Sequence, residues 1–154
     1  MRLSPTPLRA YRLHTAFNEG ESFDFSFSGI KTAVVNILHN AGQKGEEIDV
    51  PSLCASVSAS VSEALVSRTE LALEQTGRKT LAVAGGVAAN SRIRADVTAL
   101  AQRLGVALCL PELRFCGDNA AMIGAQGYYE YLAGHTADMT LNAYATKSLV
   151  GETV

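Results

Sequence analysis

Two short stretches carry residue types that could do chemistry. The first, "LRFCGDNAAMIGAQG" from Leu113 to Gly127, sets an acid–amide pair, Asp118-Asn119, between an aromatic–cysteine turn and small apolar residues. Asp and Asn compete with hydrogen bonding inside a helix. At its start they are favoured, because a side-chain oxygen accepts an orphan backbone N–H. The pair reads either as the cap of a helix of about sixteen residues or as a carboxylate held at a helix start to face a cation or a phosphate. The second stretch is "AGGVAAN", Ala84 to Asn90. Gly85 and Gly86 carry no Cβ, so backbone can approach a planar or phosphorylated ligand closely, and Asn90 can both donate and accept hydrogen bonds. Spacing alone leans toward a plain strand-to-helix turn. The stretch is neither G-x-G-x-x-G nor a P-loop, so no generic dinucleotide reading applies.

Other candidates are weaker. "SGIKT", Ser28 to Thr32, looks like the end of a P-loop, but Ile30 separates Gly29 from Lys31 and the upstream glycine is missing. It reads as a turn, with Lys31 a minor candidate for a phosphate contact. His14, His39 and His135 form no H-x-x-x-H or H-E-x-x-H pair. Glu46-Glu47 and Arg92/Arg94 read as solvated faces, and Tyr128, Tyr129 and Tyr131 as packing or partner contacts. As a metal ligand Asp118 would need several companions, and this sequence offers none that convince. Either it is a cap, or its co-ligands lie on other sequence.

The elements that would position these residues follow from hydrophobic period. "FDFSFSG" alternates Phe23, Phe25 and Phe27 with polar residues, the period of a half-buried strand broken by Gly29. "IKTAVVNILHNAG" continues as a helix closing at Gly42. Asp49 caps a long helix, with Pro51 in its first turn, Ile48 and Leu53 as a staple, and Gly77 as its stop. Its stripe runs through Leu53, Val57, Val61, Ala64, Leu65 and Leu71. Continuous apolar strands near Leu81–Ala84 and Val106–Leu110 flank an amphipathic helix from about Ser91 to Leu104, and Pro111 stops the second strand. Strand–helix–strand–helix with short links predicts parallel βαβ units in one α/β sheet. Ligands of such sheets bind beyond the carboxyl ends of the strands, where both stretches fall.

Composition sets the bounds. A chain of 154 residues suffices for one domain that buries about two-thirds of its unfolded surface. Charged residues make up 18%, below the usual share of about 25%, which hints that part of the surface is covered. The net charge of −2 without a Lys/Arg block leaves no electrostatic footprint for nucleic acid on this chain alone. Cys54, Cys109 and Cys116 form no C-x-x-C pair and read as reduced thiols of a cytoplasmic protein. No signal peptide is evident, and no unbroken apolar run reaches the roughly 18 residues of a membrane span.

"FDFSFSGIKTAV", "AGGVAANSRIR" and "PELRFCGDNAAMIG", in this order and spacing, resemble the carboxyl-terminal half of the tRNA threonylcarbamoyladenosine transferase family, formerly described as O-sialoglycoprotein endopeptidase. The resemblance covers roughly residues 23–132. It implies an actin-like lobe of the sugar-kinase/heat-shock-ATPase type, over residues 23–154, with residues 1–22 an irregular connection from an amino-terminal lobe that is absent. The implied activity moves a threonylcarbamoyl group from threonylcarbamoyl-adenylate to the adenosine beside the tRNA anticodon, with tRNA and accessory proteins of the modification complex as partners. Also implied is one divalent metal ion, iron or zinc. By motif match Asn90, with Gly85 and Gly86, corresponds to the nucleotide contact and Asp118 to a metal ligand, while no catalytic residue is assigned. The alanines after Asn119 look bacterial. Gly117 stands where the family usually has Thr, and the family's H-x-x-x-H metal pair lies in the absent lobe. The expectation is therefore a fragment, inactive alone, whose orphan carboxylate has its co-ligands elsewhere. A non-catalytic nucleotide-binding or assembly lobe, or a kinase-like member of the superfamily, are the alternatives.

Overall fold

The computed structural model describes residues 10–13 and 23–143. Most of the expected connection, His14 included, and the chain's last residues lie outside them. The described residues fall into two compact units divided between Gly117 and Asp118.

In the first unit, α1 (Ser28–Lys44) and α2 (Val50–Thr76) precede β1 (Thr80–Ala82), α3 (Ser91–Leu104) and β2 (Ala107–Cys109). The boundaries follow the capping chemistry. Asp49 accepts from the Ser52 N–H at 3.5 Å, and Gly77 ends α2 in the left-handed region at φ 64°. α1 ends at Gly45, φ 67°, rather than at Gly42, which stays inside the helix. Gly45 donates back to Ala41 O and supplies the left-handed turn, so Gly42 is not needed for it.

The aromatic alternation at Phe23–Phe27 does not make a strand. These residues have no regular structure and α1 begins at Ser28. A strand exists only with a ladder partner, and among the described residues the sheet has two strands, β1 and β2. Phe25 and Phe27 instead stack on each other, ring centroids 6.2 Å apart.

β1 and β2 pair in parallel, Thr80 with Ala107, Leu81 with Leu108 and Ala82 with Cys109, as the apolar runs around an amphipathic helix predict. α3 makes that crossover and covers the sheet, burying Ile93, Val97, Leu100 and Ala101 against α2 and β2. Full burial of Leu100, 1% exposed, contributes about 1.5–3 kcal/mol. The strands are shorter and more open than their sequence suggests: Leu81 and Leu108 are half-buried and their neighbours exposed. Between α1, α2 and residue 87 lies an apolar hollow of about 840 Å³, lined by Ile30, Val34, Val57, Val61, Leu65 and Val87 among others.

By length and apolar character alone α2 could cross a membrane, contrary to the reading from unbroken runs. The difference is one of averaging, since Glu63, Arg68 and Glu70 interrupt every run. In this fold its serine-rich face is internal: Ser52, Ser56, Ser60 and Ser62 are buried. Ser56 donates to Ser52 O at 2.7 Å and accepts from the Tyr11 N–H at 3.2 Å.

The second unit contains α4 (Ala120–Leu132), thirteen residues rather than about sixteen. It exposes Met122, Ile123, Tyr128, Tyr129, Tyr131 and Leu132.

Candidate functional site

After β1 the backbone turns at Gly85, φ 87° and ψ 174°, a conformation that essentially only glycine adopts. A 3₁₀ turn, Gly86–Ala89, follows, with Ala88 buried and Gly85, Gly86 and Asn90 exposed. A Cβ built at Gly86 would meet nothing within 4 Å, and its φ is not positive. The two glycines thus differ: Gly85 is required by the backbone, whereas nothing in the fold requires Gly86.

Asn90 is the N-cap of α3. Its Oδ1 accepts from the N–H groups of Arg92 at 3.0 Å and Ile93 at 3.1 Å. The plain and functional readings are therefore both available to one side chain: the carbonyl oxygen is used in the cap, and the exposed amide NH₂ keeps its donors for a ligand.

After β2 the chain passes Pro111 into a second 3₁₀ turn, Leu113–Phe115, and reaches Cys116, which is buried. Both turns leave the carboxyl ends of adjacent parallel strands, where ligands of α/β sheets bind. Arg94, expected on a solvated face, is instead half-buried between the two turns, donating to Ala88 O and Pro111 O. Helical spacing could not reveal this, because both acceptors are backbone carbonyls supplied by other segments. Arg92 lies exposed on α3 and pairs with Asp96 at 2.6 Å.

In the second unit the cap of α4 is Asn119, whose Oδ1 accepts from the Met122 N–H at 2.9 Å. Asp118 is not the cap. It is exposed, and among the described residues its carboxylate has no hydrogen-bond or ion-pair partner. With Asn119 and Ile123 it lines an open hollow at the start of the helix. An uncommitted hard oxygen donor beside a helix N-terminus suits one position in a cation's ligand set. Among the described residues no group of three or more His, Cys, Asp or Glu side chains could complete such a set. Gly117 has open space where a Cβ would sit, so packing does not impose glycine there.

Of the weaker candidates, Lys31 is exposed and edges the apolar hollow. His39 hydrogen-bonds Gln43, and His135 Nδ1 lies 2.7 Å from Glu130 Oε2, lowering that carboxyl below its ordinary value. Tyr128 and Tyr129 pack edge to face at the surface.

A family profile for tRNA N6-adenosine threonylcarbamoyltransferase matches residues 5–125. The protein of that name from Staphylococcus saprophyticus is 45% identical over 135 residues, which are 88% of this chain and 40% of the relative. The one from Limosilactobacillus fermentum is 48% identical over 130 residues, 83% of this chain and 38% of the relative. That from Moorella thermoacetica is 43% identical over 135 residues, with 88% and 40% covered. The chain thus spans about two-fifths of the length of these curated relatives.

Proposed function

Because the chain belongs to the tRNA N6-adenosine threonylcarbamoyltransferase family, we propose that it supplies part of a site transferring threonylcarbamoyl from an adenylate to tRNA adenosine. The fold of the complete enzyme would be actin-like with two lobes, and residues 23–154 would form the carboxyl-terminal one. The observation that carries the proposal is the arrangement after β1: a glycine-only turn followed by a cap residue whose amide donors remain free, inside the region that matches the family.

In this reading the Gly85–Gly86 backbone approaches the adenylate, and the Asn90 amide donates to it. Asp118 would hold one position on a divalent metal ion, iron or zinc, with the other ligands outside the described residues. Such an ion, when bound, supplies Lewis-acid stabilisation of charge on the acyl-adenylate. Asp118 contributes a carboxylate in an open position, and Asn119 holds the helix start beside it. tRNA, threonylcarbamoyl-adenylate and accessory proteins are the proposed partners, and the cytoplasm, where tRNA is modified, the proposed location. The family match favours this transferase over a kinase-like protein.

The test is a chimera in which residues 5–125 replace the matching segment of the Staphylococcus saprophyticus relative, assayed for threonylcarbamoyladenosine in tRNA. We expect transfer. Asp118→Asn in the chimera should lose metal, measured by elemental analysis, together with transfer. The melting temperature of the metal-free protein should hold, because Asn119 alone makes the cap. A folded chimera without transfer would overturn the proposal.

A further inference from the structure

Arg94 bonds to both of the turns at the carboxyl ends of β1 and β2. It stands in the first turn of α3, and its guanidinium forks. Nη1 donates to Ala88 O at 2.9 Å, in the turn after β1, and Nη2 donates to Pro111 O at 3.0 Å, in the connection after β2. Nη1 also lies 3.8 Å from Cys116 Sγ, whose thiol in turn donates to Glu112 O at 3.6 Å. Ala88 and Cys116 are buried, whereas Gly85, Gly86 and Asn90 are exposed. Each turn is therefore pinned from inside and left open outside.

The type of side chain matters. A guanidinium presents five donors in a rigid plane, so it can hold two carbonyls at a fixed separation, and bonds from a charged donor are the stronger kind. A lysine ammonium is a single point on a flexible stem and cannot hold both in one geometry. Among the described residues Arg94 pairs with no carboxylate, so the carbonyl bonds are what fix its head.

We propose that Arg94 is a positioning residue that couples the Gly86–Asn90 turn to the Pro111–Cys116 connection, so that both turns are held as one unit. Its role toward an adenylate rests on the function proposed above, while the coupling itself does not. The Arg94 fork sets the separation of the two turns and thereby the placement of the Asn90 amide.

The test has two arms. The N–H groups of Ala88, Asn90, Phe115 and Cys116 each close a bond inside one of the turns, to Gly85 O, Val87 O, Glu112 O and Leu113 O. In the 154-residue chain carrying Arg94→Lys, all four amides should exchange with deuterium about tenfold faster, with rates along α2 unchanged. Acceleration in one turn only, or uniformly over the chain, overturns the coupling. Should the lysine variant not fold, Arg94→Gln, which is shorter and carries a single donor nitrogen in place of the fork, should give the same paired acceleration. In the chimera, Arg94→Lys should raise KM for the adenylate about tenfold while kcat changes less than about threefold. An unchanged KM in an active chimera overturns the positioning role. If the unsubstituted chimera is inactive, the proposed function fails and the exchange arm still decides the coupling.

Discussion

At Asn90 one side chain makes the helix cap and is also the proposed ligand contact. Its oxygen caps α3 through two N–H groups, and its NH₂ faces solvent where a ligand would sit. Alanine would remove both and confuse them. Asn90→Ala should cost about 1–2 kcal/mol of stability as a doubly bonded cap. Asn90→Ser keeps a capping oxygen, so it should cost about 0.5 kcal/mol or less, yet weaken adenylate binding by the chimera about tenfold through the lost donor. Chemical denaturation and calorimetry separate the two; equal affinity in Asn90→Ser would leave Asn90 a cap only. The neighbouring glycines divide in the same way. Gly85→Ala forces a Cβ into φ 87° and should destabilise by about 1–3 kcal/mol. Gly86→Ala meets open space and should leave the denaturation midpoint unchanged, so any loss of affinity there reports the close approach of a ligand. An unfolded Gly86→Ala would contradict the local geometry.

At the scale of elements, α2 and α3 are held by more than their apolar seam. Ser62, fully buried on α2, donates to Asp96 Oδ2 on α3 at 2.7 Å, and Arg92 Nε lies 2.6 Å from the same oxygen. Further along, Arg103 on α3 grips Glu70 on α2 with both guanidinium nitrogens. The hydrogen bond from Arg103 draws Glu70 below its ordinary carboxyl value. Burial pushes Asp96 up, but the Ser62 hydroxyl and the Arg92 guanidinium outweigh it, and the net direction is down. Folded values below unfolded ones mean that the native state binds fewer protons. The stabilisation is therefore present above the ordinary values of 3.8 and 4.5 and is lost as pH falls through the lowered folded ones. The melting temperature should begin to drop as pH falls below about 5 and keep falling through the lowered folded values. In the Asp96→Asn, Glu70→Gln double variant that drop should be shallower, from a lower starting point at pH 7. Parallel pH profiles for the two proteins would show that these pairs do not carry the acid sensitivity.

For the whole molecule, the sheet explains why so apolar a chain leaves so much open. Strands written for burial on both faces have α3 on them, yet Leu81 and Leu108 are half-exposed. The hollow edged by α1 and α2 is lined almost wholly by apolar side chains, and α4 carries exposed Met, Ile and Tyr residues. Such a surface matches a chain that aligns with only about two-fifths of its relatives. On the proposed function, the 154-residue chain by itself should bind adenine nucleotides more weakly than micromolar, because the remaining contacts would come from outside it. Titration calorimetry on the purified chain checks this, and micromolar or tighter affinity would point to a self-sufficient module.

What the sequence by itself determined was whatever depends on near neighbours. Caps, stops and helical period are set within a few residues, so α3 runs from Ser91 to Leu104 and Asp49 and Gly77 bound α2 where the chain says they should. The parallel pair was legible as two apolar runs around an amphipathic helix. Gly85, Gly86, Asn90 and Asp118 stood out as candidates because glycine and polar residues contrast with apolar surroundings, and their roles rest on the proposed function. Tertiary structure alone decided what depends on distant partners. The Phe23–Phe27 alternation finds no ladder partner among the described residues and stays unpaired, since a strand is a property of two segments. Asp118 and Asn119 carry equivalent capping oxygens, and only the backbone at the start of α4 assigned the cap to Asn119 and left the Asp118 carboxylate without a partner among the described residues. Arg94 looked like a surface charge because its partners are carbonyls of residues 88 and 111, brought to it by the crossover. Side-chain type along a sequence records what a residue can bond; only the folded chain supplies the partner.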